Sequence, residues 1–286
     1  MKHCIYIFIF FTLYSCRKDV KLKLPEYKQK VVVEASIETG SAAVVFLSYS
    51  VPYFGDFDYT APEKSFIKGA FVTVTDGTII DTLKEVDPNT GYLYLGFKLI
   101  GQQGKNYTIK VTVAGKTYET NTSILNPAPL DSLYFKGEQD TLGLMWQTFS
   151  EPLGSGDCYR WYAKRLGRDQ FYAAPFFSVF EDKFIDGKTF DFSYDRGPQP
   201  NAIQEYRDDP ERGYFKRGDT VVVKLCKIGR REYDFWNTYY QNKTSNSNPF
   251  SAPSNIKSMF DGNQEVFGAF VGYAPAYDTI IIPDTP

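Results

Sequence analysis

Few groups in this chain can do covalent chemistry. Cysteines stand at 4, 16, 158 and 226, and the single histidine is His3. Met1-Lys2-His3 makes a short positive head, an apolar run follows from Cys4 to Leu13, and Tyr14-Ser15 lead into Cys16. This is the layout of an export signal. The run is too short to span a bilayer, which takes about twenty apolar residues. With Leu13 three residues ahead of Cys16, the arrangement is lipobox-like: the thiol takes a diacylglycerol and becomes the new N-terminus. His3 leaves with residues 1–15, so the mature chain is expected to have no imidazole. Histidine-activated serine or cysteine nucleophiles are then excluded as usually built, and so is histidine-ligated zinc, iron or copper. Cys158 and Cys226 form no Cys-x-x-Cys pair, so neither a zinc knot nor a redox motif is supported. They are candidates for one disulfide in an oxidising compartment, or else two buried small hydrophobes.

Carboxylates are the remaining acid–base groups. Glu181-Asp182, Asp208-Asp209 and Asp186 with Asp191 are the pairs to weigh. Glycosidic cleavage needs carboxyls roughly 5–5.5 Å apart for retention or about 6.5–9.5 Å for inversion. Neighbours on a regular strand point to opposite faces, so Glu181 and Asp182 cannot face one sugar from there, and loop solubility explains them better. Asp56 and Asp58 could hold calcium, although a solvated loop is the simpler reading. No glycine-rich phosphate cradle follows a strand. No enzyme activity, metal or cofactor is expected.

Binding chemistry is better supplied. Aromatic residues make up 17% of the chain, and most of these rings must serve strands and cores. Two stretches outside the clearest strands concentrate the rest. Residues 51–62 hold Tyr53, Phe54, Phe57 and Tyr59, and residues 167–218 include Phe171, Tyr172, Phe176 and Phe177. These eight are the candidate ligand or partner contacts. A net charge of −2 offers no basic field for phosphates, so nucleic acid is not an expected partner.

The elements that must position these groups are mostly strands. Lys30–Ile37 is β-branched and partly alternating, and runs at 42–49, 67–75, 78–83, 92–99, 106–113 and 116–122 follow it. Asp76-Gly77 and Ala114-Gly115 mark hairpin turns. Seven short strands with no helical period read as an immunoglobulin-like sandwich over 30–126. It is preceded by a signal peptide (1–15) and a lipidated, charged tether (16–29). Asn126-Pro127-Ala128-Pro129 marks a boundary. Residues 127–286 read as a second, fibronectin-like sandwich with long insertions. Its strands fall at 131–135, 141–148, 157–165, 176–180, 189–194, 219–228, 267–273 and 278–282. Tyr233, Trp236, Tyr239 and Tyr240 share one side of a single helix over 230–241 and make a core face. The glycines of 267–273 indicate close backbone approach.

Asp, then Ser or Thr, then an aliphatic residue recurs at 81–83, 131–133, 140–142, 219–221 and 278–280. This resembles an acceptor pattern for O-glycosylation, which makes Thr82, Ser132, Thr141, Thr220 and Thr279 candidates. The other reading is a turn aspartate followed by the start of a strand.

Several stretches together resemble one family. They are Val31-Val32-Val33-Glu34-Ala35, Gly69 to Asp76, Gly104 to Val111, Phe235-Trp236-Asn237-Thr238, Asn248 to Pro253, and Phe267 to Tyr273. In this order, behind a lipobox, they are similar to the Bacteroidota lipoproteins grouped as domain of unknown function 4249. The resemblance implies an outer-membrane lipoprotein encoded beside a TonB-dependent transporter barrel, with no known catalytic residues to carry over. The expected function is non-enzymatic: an accessory to such a transporter in nutrient capture, lipid-anchored at the outer membrane on its surface or periplasmic face. The alternative is a stand-alone carbohydrate- or peptide-binding adhesion module.

Overall fold

Alternating burial builds the first strands. In β1 (Val31–Glu38), Val31, Val33, Ala35 and Ile37 face inward; in β2 (Ala42–Tyr49), Ala43, Val45 and Leu47 do so. The computed structural model describes residues 27–52, 58, 61–87, 91–200, 207–245, 255–260, 262 and 265–284.

Two sheets close the first sandwich. Sheet II runs β4 (Ile80–Thr82), β3 (Phe71–Thr75), β7 (Asn106–Val113), β8 (Lys116–Ser123). Asp76 caps the β3–β4 turn by accepting from Thr78 and Ile79 amides, and Gly77 takes φ 90°. Sheet I runs β16 (Val266–Tyr273), β1, β2, β6 (Leu93–Ile100), β5 (Lys84–Glu85). One core, including Ile37, Val45, Leu47, Val72, Ile109 and Val111, fills the space between them.

β16 comes from the far end of the chain and pairs in parallel with β1 from Val31↔Val266 to Glu38↔Tyr273. Parallel neighbours need a crossover connection. Here that connection contains every strand of the second sandwich except β17, which follows β16 in the chain. Residues 266–273, read from sequence as part of the second domain, therefore complete the first one's sheet. Gly268 and Gly272 make this possible: a Cβ at Gly268 would strike the Val33 carbonyl, and one at Gly272 the Ser123 carbonyl.

The second sandwich packs sheet III against sheet IV. Sheet III has β10 (Leu142–Ser150) at its centre, with β9 (Ser132–Gln139), β13 (Thr189–Tyr194) and β14 (Phe215–Lys216) around it. Sheet IV runs β12 (Val179–Glu181), β11 (Cys158–Arg165), β15 (Thr220–Ile228), β17 (Pro275–Ile281). Tyr159, Trp161, Phe149, Phe215 and Val223 form its core. The strand expected at 176–180 shortens to β12. Arginines fasten the long stretch that follows β11. Buried Arg165 binds Asp169, Arg168 binds Glu211 and Asp219, and Arg196 binds Asp209 and the Tyr214 carbonyl.

Helix α1 (Arg230–Ser245) lies between the sandwiches. Tyr233, Trp236 and Tyr240 share a core with Cys158, Cys226, Val271 and Tyr273, so the ring stripe is packing as its spacing indicated. At its N-terminus the Gly272 amide donates to Thr122 Oγ1, which donates to Glu232 Oε1.

Candidate functional site

β11 is buried on both faces, which follows from its sequence. Tyr159, Trp161 and Ala163 enter the second core, and Arg160 and Tyr162 point the other way, toward the first sandwich. Arg160 is 5% exposed. Its NH1 donates to the Tyr273 hydroxyl at 3.0 Å, and the Tyr162 hydroxyl donates to the same oxygen at 2.9 Å. The guanidinium carbon lies 3.5 Å from the Trp236 ring centroid, a desolvated cation–π contact. Burial would depress the Arg160 pKa, but the Tyr162, Tyr273 and Tyr240 phenols and Glu34 outweigh it and keep the guanidinium charged. Burial pushes the Tyr162 and Tyr273 phenols up, so both stay neutral.

A second polar contact crosses the same junction. Lys224 on β15 pairs with Glu38 on β1, and the Tyr277 hydroxyl donates to Glu38 Oε1 at 2.7 Å. Tyr162, Tyr172 and Tyr273 present their rings to the Lys224 ammonium at 5.2–5.7 Å.

Glu34 lies beside this cluster, on the outer face of β1. Its side chain is open to solvent, yet surrounding protein desolvates the carboxyl and raises its pKa, with Arg160 opposing. Phe46 is the cross-strand neighbour of Glu34, the Tyr92 ring lies 5.0 Å from Phe46, and Phe66 stacks on Tyr92 at 4.2 Å. Tyr92 holds φ 81°, a strained conformation for a ring-bearing residue, and the Leu47 amide fixes its carbonyl at 2.8 Å.

A third cluster joins two loops at the start of β11. Glu151, Asp182 and Asp186 place one carboxylate oxygen each within 4.8 Å of one another. Hard oxygen donors of this kind suit calcium. Their oxygens already accept from Tyr159 Oη and the amides of Gly187, Gly156, Asp157 and Gly154, so the trio serves to lock the loops.

The sequence matches the family described as a domain of unknown function, DUF4249, over residues 17–278. The chain belongs to that family. No curated protein matches it. Among solved structures, a two fibronectin type-III domain segment from chicken tenascin is similar at 12% identity and TM-score 0.23, over 89% of this chain and 99% of that one. Bovine butyrophilin is similar at 11% identity and TM-score 0.20, over 70% of this chain and 92% of that one.

In this DUF4249 chain the residues singled out from sequence fall into separate places. Cys16 and the loop aromatics Tyr53, Phe54, Phe57 and Tyr59 lie outside the described residues. Tyr172 joins the junction, its ring 6.0 Å from Tyr277. Phe176 packs against the helix core, and Phe177, at φ 60°, lies 6.0 Å from Tyr240. Phe171 is exposed and its backbone exchanges hydrogen bonds with the Gln199 amide.

Cys158 and Cys226 are free and buried, which corrects the disulfide reading. Cys158 lies opposite Ile228 and Cys226 opposite Arg160, so the thiols are diagonal rather than directly paired. Diagonal cross-strand neighbours stand roughly 7–8 Å apart, beyond the ~4.4–6.8 Å that separates the Cα atoms of a disulfide. Burial pushes each thiol up to about 12, which leaves almost no thiolate.

Asp182 is also corrected. It is 2% exposed and bonds two amides instead of dissolving a loop, while neighbouring Glu181 pairs with Arg230. The recurring Asp-Ser/Thr-aliphatic pattern has structural work at three places. Asp81 accepts from the Phe97, Lys98 and Leu99 amides, Asp131 from Ser150, and Asp219 from Lys216 and Arg168. Thr82, Ser132, Thr141 and Thr279 are exposed, and Thr220 is half-buried. Glu34 and the acidic trio were missed. Glu34 was visible only as the polar break in Val31-Val32-Val33-Glu34-Ala35, and the trio's members are too far apart in sequence to read as a group.

Proposed function

We propose that this protein is a non-enzymatic outer-membrane lipoprotein, anchored through Cys16, that works as an accessory to a TonB-dependent transporter in nutrient capture. The observation that carries this reading is the junction. β16 completes the first sandwich, and Arg160–Tyr273 and Lys224–Glu38 join it to the second. Conspicuous buried polar groups are thus spent on holding two sandwiches in one fixed arrangement, as suits a rigid presenting surface carried on a lipid anchor. Burial pushes both thiols up to about 12, which leaves almost no thiolate for nucleophilic chemistry and agrees with a binding role. O-glycans on the exposed Thr82, Ser132, Thr141 and Thr279 belong to the same reading, and an intact mass equal to the lipidated polypeptide alone would remove them.

The test is recovery of C-terminally tagged protein from native outer membranes in mild detergent. A stoichiometric TonB-dependent barrel supports the accessory role; a lone lipoprotein overturns it in favour of a stand-alone adhesion module. That second reading has one observation of its own, the aromatic face of sheet III.

A further inference from the structure

The outer face of sheet III combines rings with free polar groups. Along β10, Met145 and Phe149 point into the core, so Leu144, Trp146 and Thr148 point out. Trp146 lies across from Tyr134 on β9 and Ser193 on β13, and Thr148 from Asp191. The Tyr134 and Trp146 rings are near-parallel, 6.4 Å apart at 21°. Tyr134 bonds the Asp191 carboxylate, which also accepts from Thr148 Oγ1 at 2.7 Å. The ring pair is therefore held in place.

A cleft of about 330 Å³ opens next to it, lined by Glu138, Leu144, Asp195, Arg212, Gly213 and Tyr214. Small-molecule sites run from roughly 300 to 1,000 Å³, so this one suits a single small ring. Leu144 belongs to both cleft and outer face, which makes them continuous. Neither the Glu138 carboxylate nor the Arg212 guanidinium pairs with another side chain among the described residues. Burial raises the Asp195 carboxyl, while the Gly197 amide and Arg196 oppose the shift.

We propose that this face binds a neutral sugar, with one pyranose ring seated on Trp146 and its hydroxyls reaching Glu138, Asp195 and Arg212. The donor set selects this chemistry. Acceptors and donors of both signs line one wall, and a sugar hydroxyl, which donates and accepts, satisfies both. Acidic and basic side chains are mixed, which gives no field for a strongly charged ligand. An aromatic surface accepts the apolar C–H side of a sugar. β10 is hydrogen-bonded on both sides, so a peptide could add as a strand only at β9 or β13, at the margins of this face. Lys136 places its ammonium 3.6 Å from the Trp146 centroid and covers the ring in the unliganded protein. It must swing aside for a sugar to stack. The proposal concerns a ligand and stands apart from the transporter reading, so a failed pull-down leaves it intact.

The test is saturation-transfer NMR on the full chain with glucose, galactose, mannose and xylose at millimolar concentration. Transfer to ring C–H protons is expected for at least one sugar. Trp146→Ala and Asp195→Asn should each weaken it about tenfold or more, the scale of one good contact. Lys136→Ala should strengthen it by uncovering the ring, which guards against a Trp146 variant that merely misfolds. Phe71→Ala, on the other sandwich, should leave it unchanged. The proposal is overturned by no transfer from any of the four sugars to wild type or Lys136→Ala. Transfer unchanged in both Trp146→Ala and Asp195→Asn overturns it too, as does a preference for glucuronate over glucose.

Discussion

Arg160 on β11 donates to the Tyr273 hydroxyl on β16 at 3.0 Å, and the two residues belong to sheets of different sandwiches. Tyr273→Phe keeps the ring and removes the acceptor shared by Arg160 and Tyr162. A hydrogen bond to a charged group contributes about 1.5–3 kcal/mol, so a loss of that order is expected. Urea unfolding should show a lower midpoint at unchanged slope. A wild-type midpoint would mean that the contact adds nothing to stability.

Gly268→Ala places a Cβ against the Val33 carbonyl within the β1–β16 ladder. The backbone must shift to admit it, at a cost of about 1–3 kcal/mol, as for overpacking elsewhere. Thermal melting should drop by several degrees. Gly262→Ala, with open space but φ 75°, should cost less. Equal losses at the two positions would argue against close strand approach as the cause.

Asp81 gives a stability that depends on pH. Burial disfavours its charge, but the Leu99, Lys98 and Phe97 amides outweigh this and hold the carboxyl below its ordinary value. Its contribution is therefore present above the ordinary aspartate range and lost as pH falls through the lower folded value. Asp81→Asn should cost about 2–3 kcal/mol at pH 7, and the gap from wild type should close in strong acid. A gap independent of pH would assign the effect to shape alone.

Glu34 has the opposite sign. Desolvation raises its carboxyl in the folded state, so the fold is most favoured below the ordinary glutamate range and loses stability as pH rises through the raised value. Glu34→Gln should match wild type near pH 3 and melt higher at pH 7. A lower melting point at pH 7 would show that the attraction of Arg160 outweighs the desolvation.

The thiols can be read by mass. Cys158 and Cys226 should resist alkylation in the native protein at pH 8, where burial holds both thiols up at about 12, and react fully on unfolding without reductant. Peptides joined by a disulfide under the same conditions would contradict the diagonal register.

Much of the fold is local and was legible in the sequence. Val31-Val32-Val33, the Asp76-Gly77 turn and the alternation of Tyr159, Trp161 and Ala163 each state a strand or a turn, because side-chain direction has period two and turns need particular backbone angles. Spacing alone gave the helix its core face. The glycines of β16 announced close approach without naming the neighbour. Tertiary structure alone decided that neighbour, because the parallel partner of β1 is more than two hundred residues away and no short-range pattern encodes a crossover of that length. It also chose Tyr273 and Trp236 as the surroundings of Arg160, set Cys158 and Cys226 on a diagonal, and gathered Glu151, Asp182 and Asp186 at one corner. Each of these depends on distances between residues remote in sequence. Local propensity and periodicity determine which elements form and which way their residues face, whereas the packing of finished sheets determines what those residues meet.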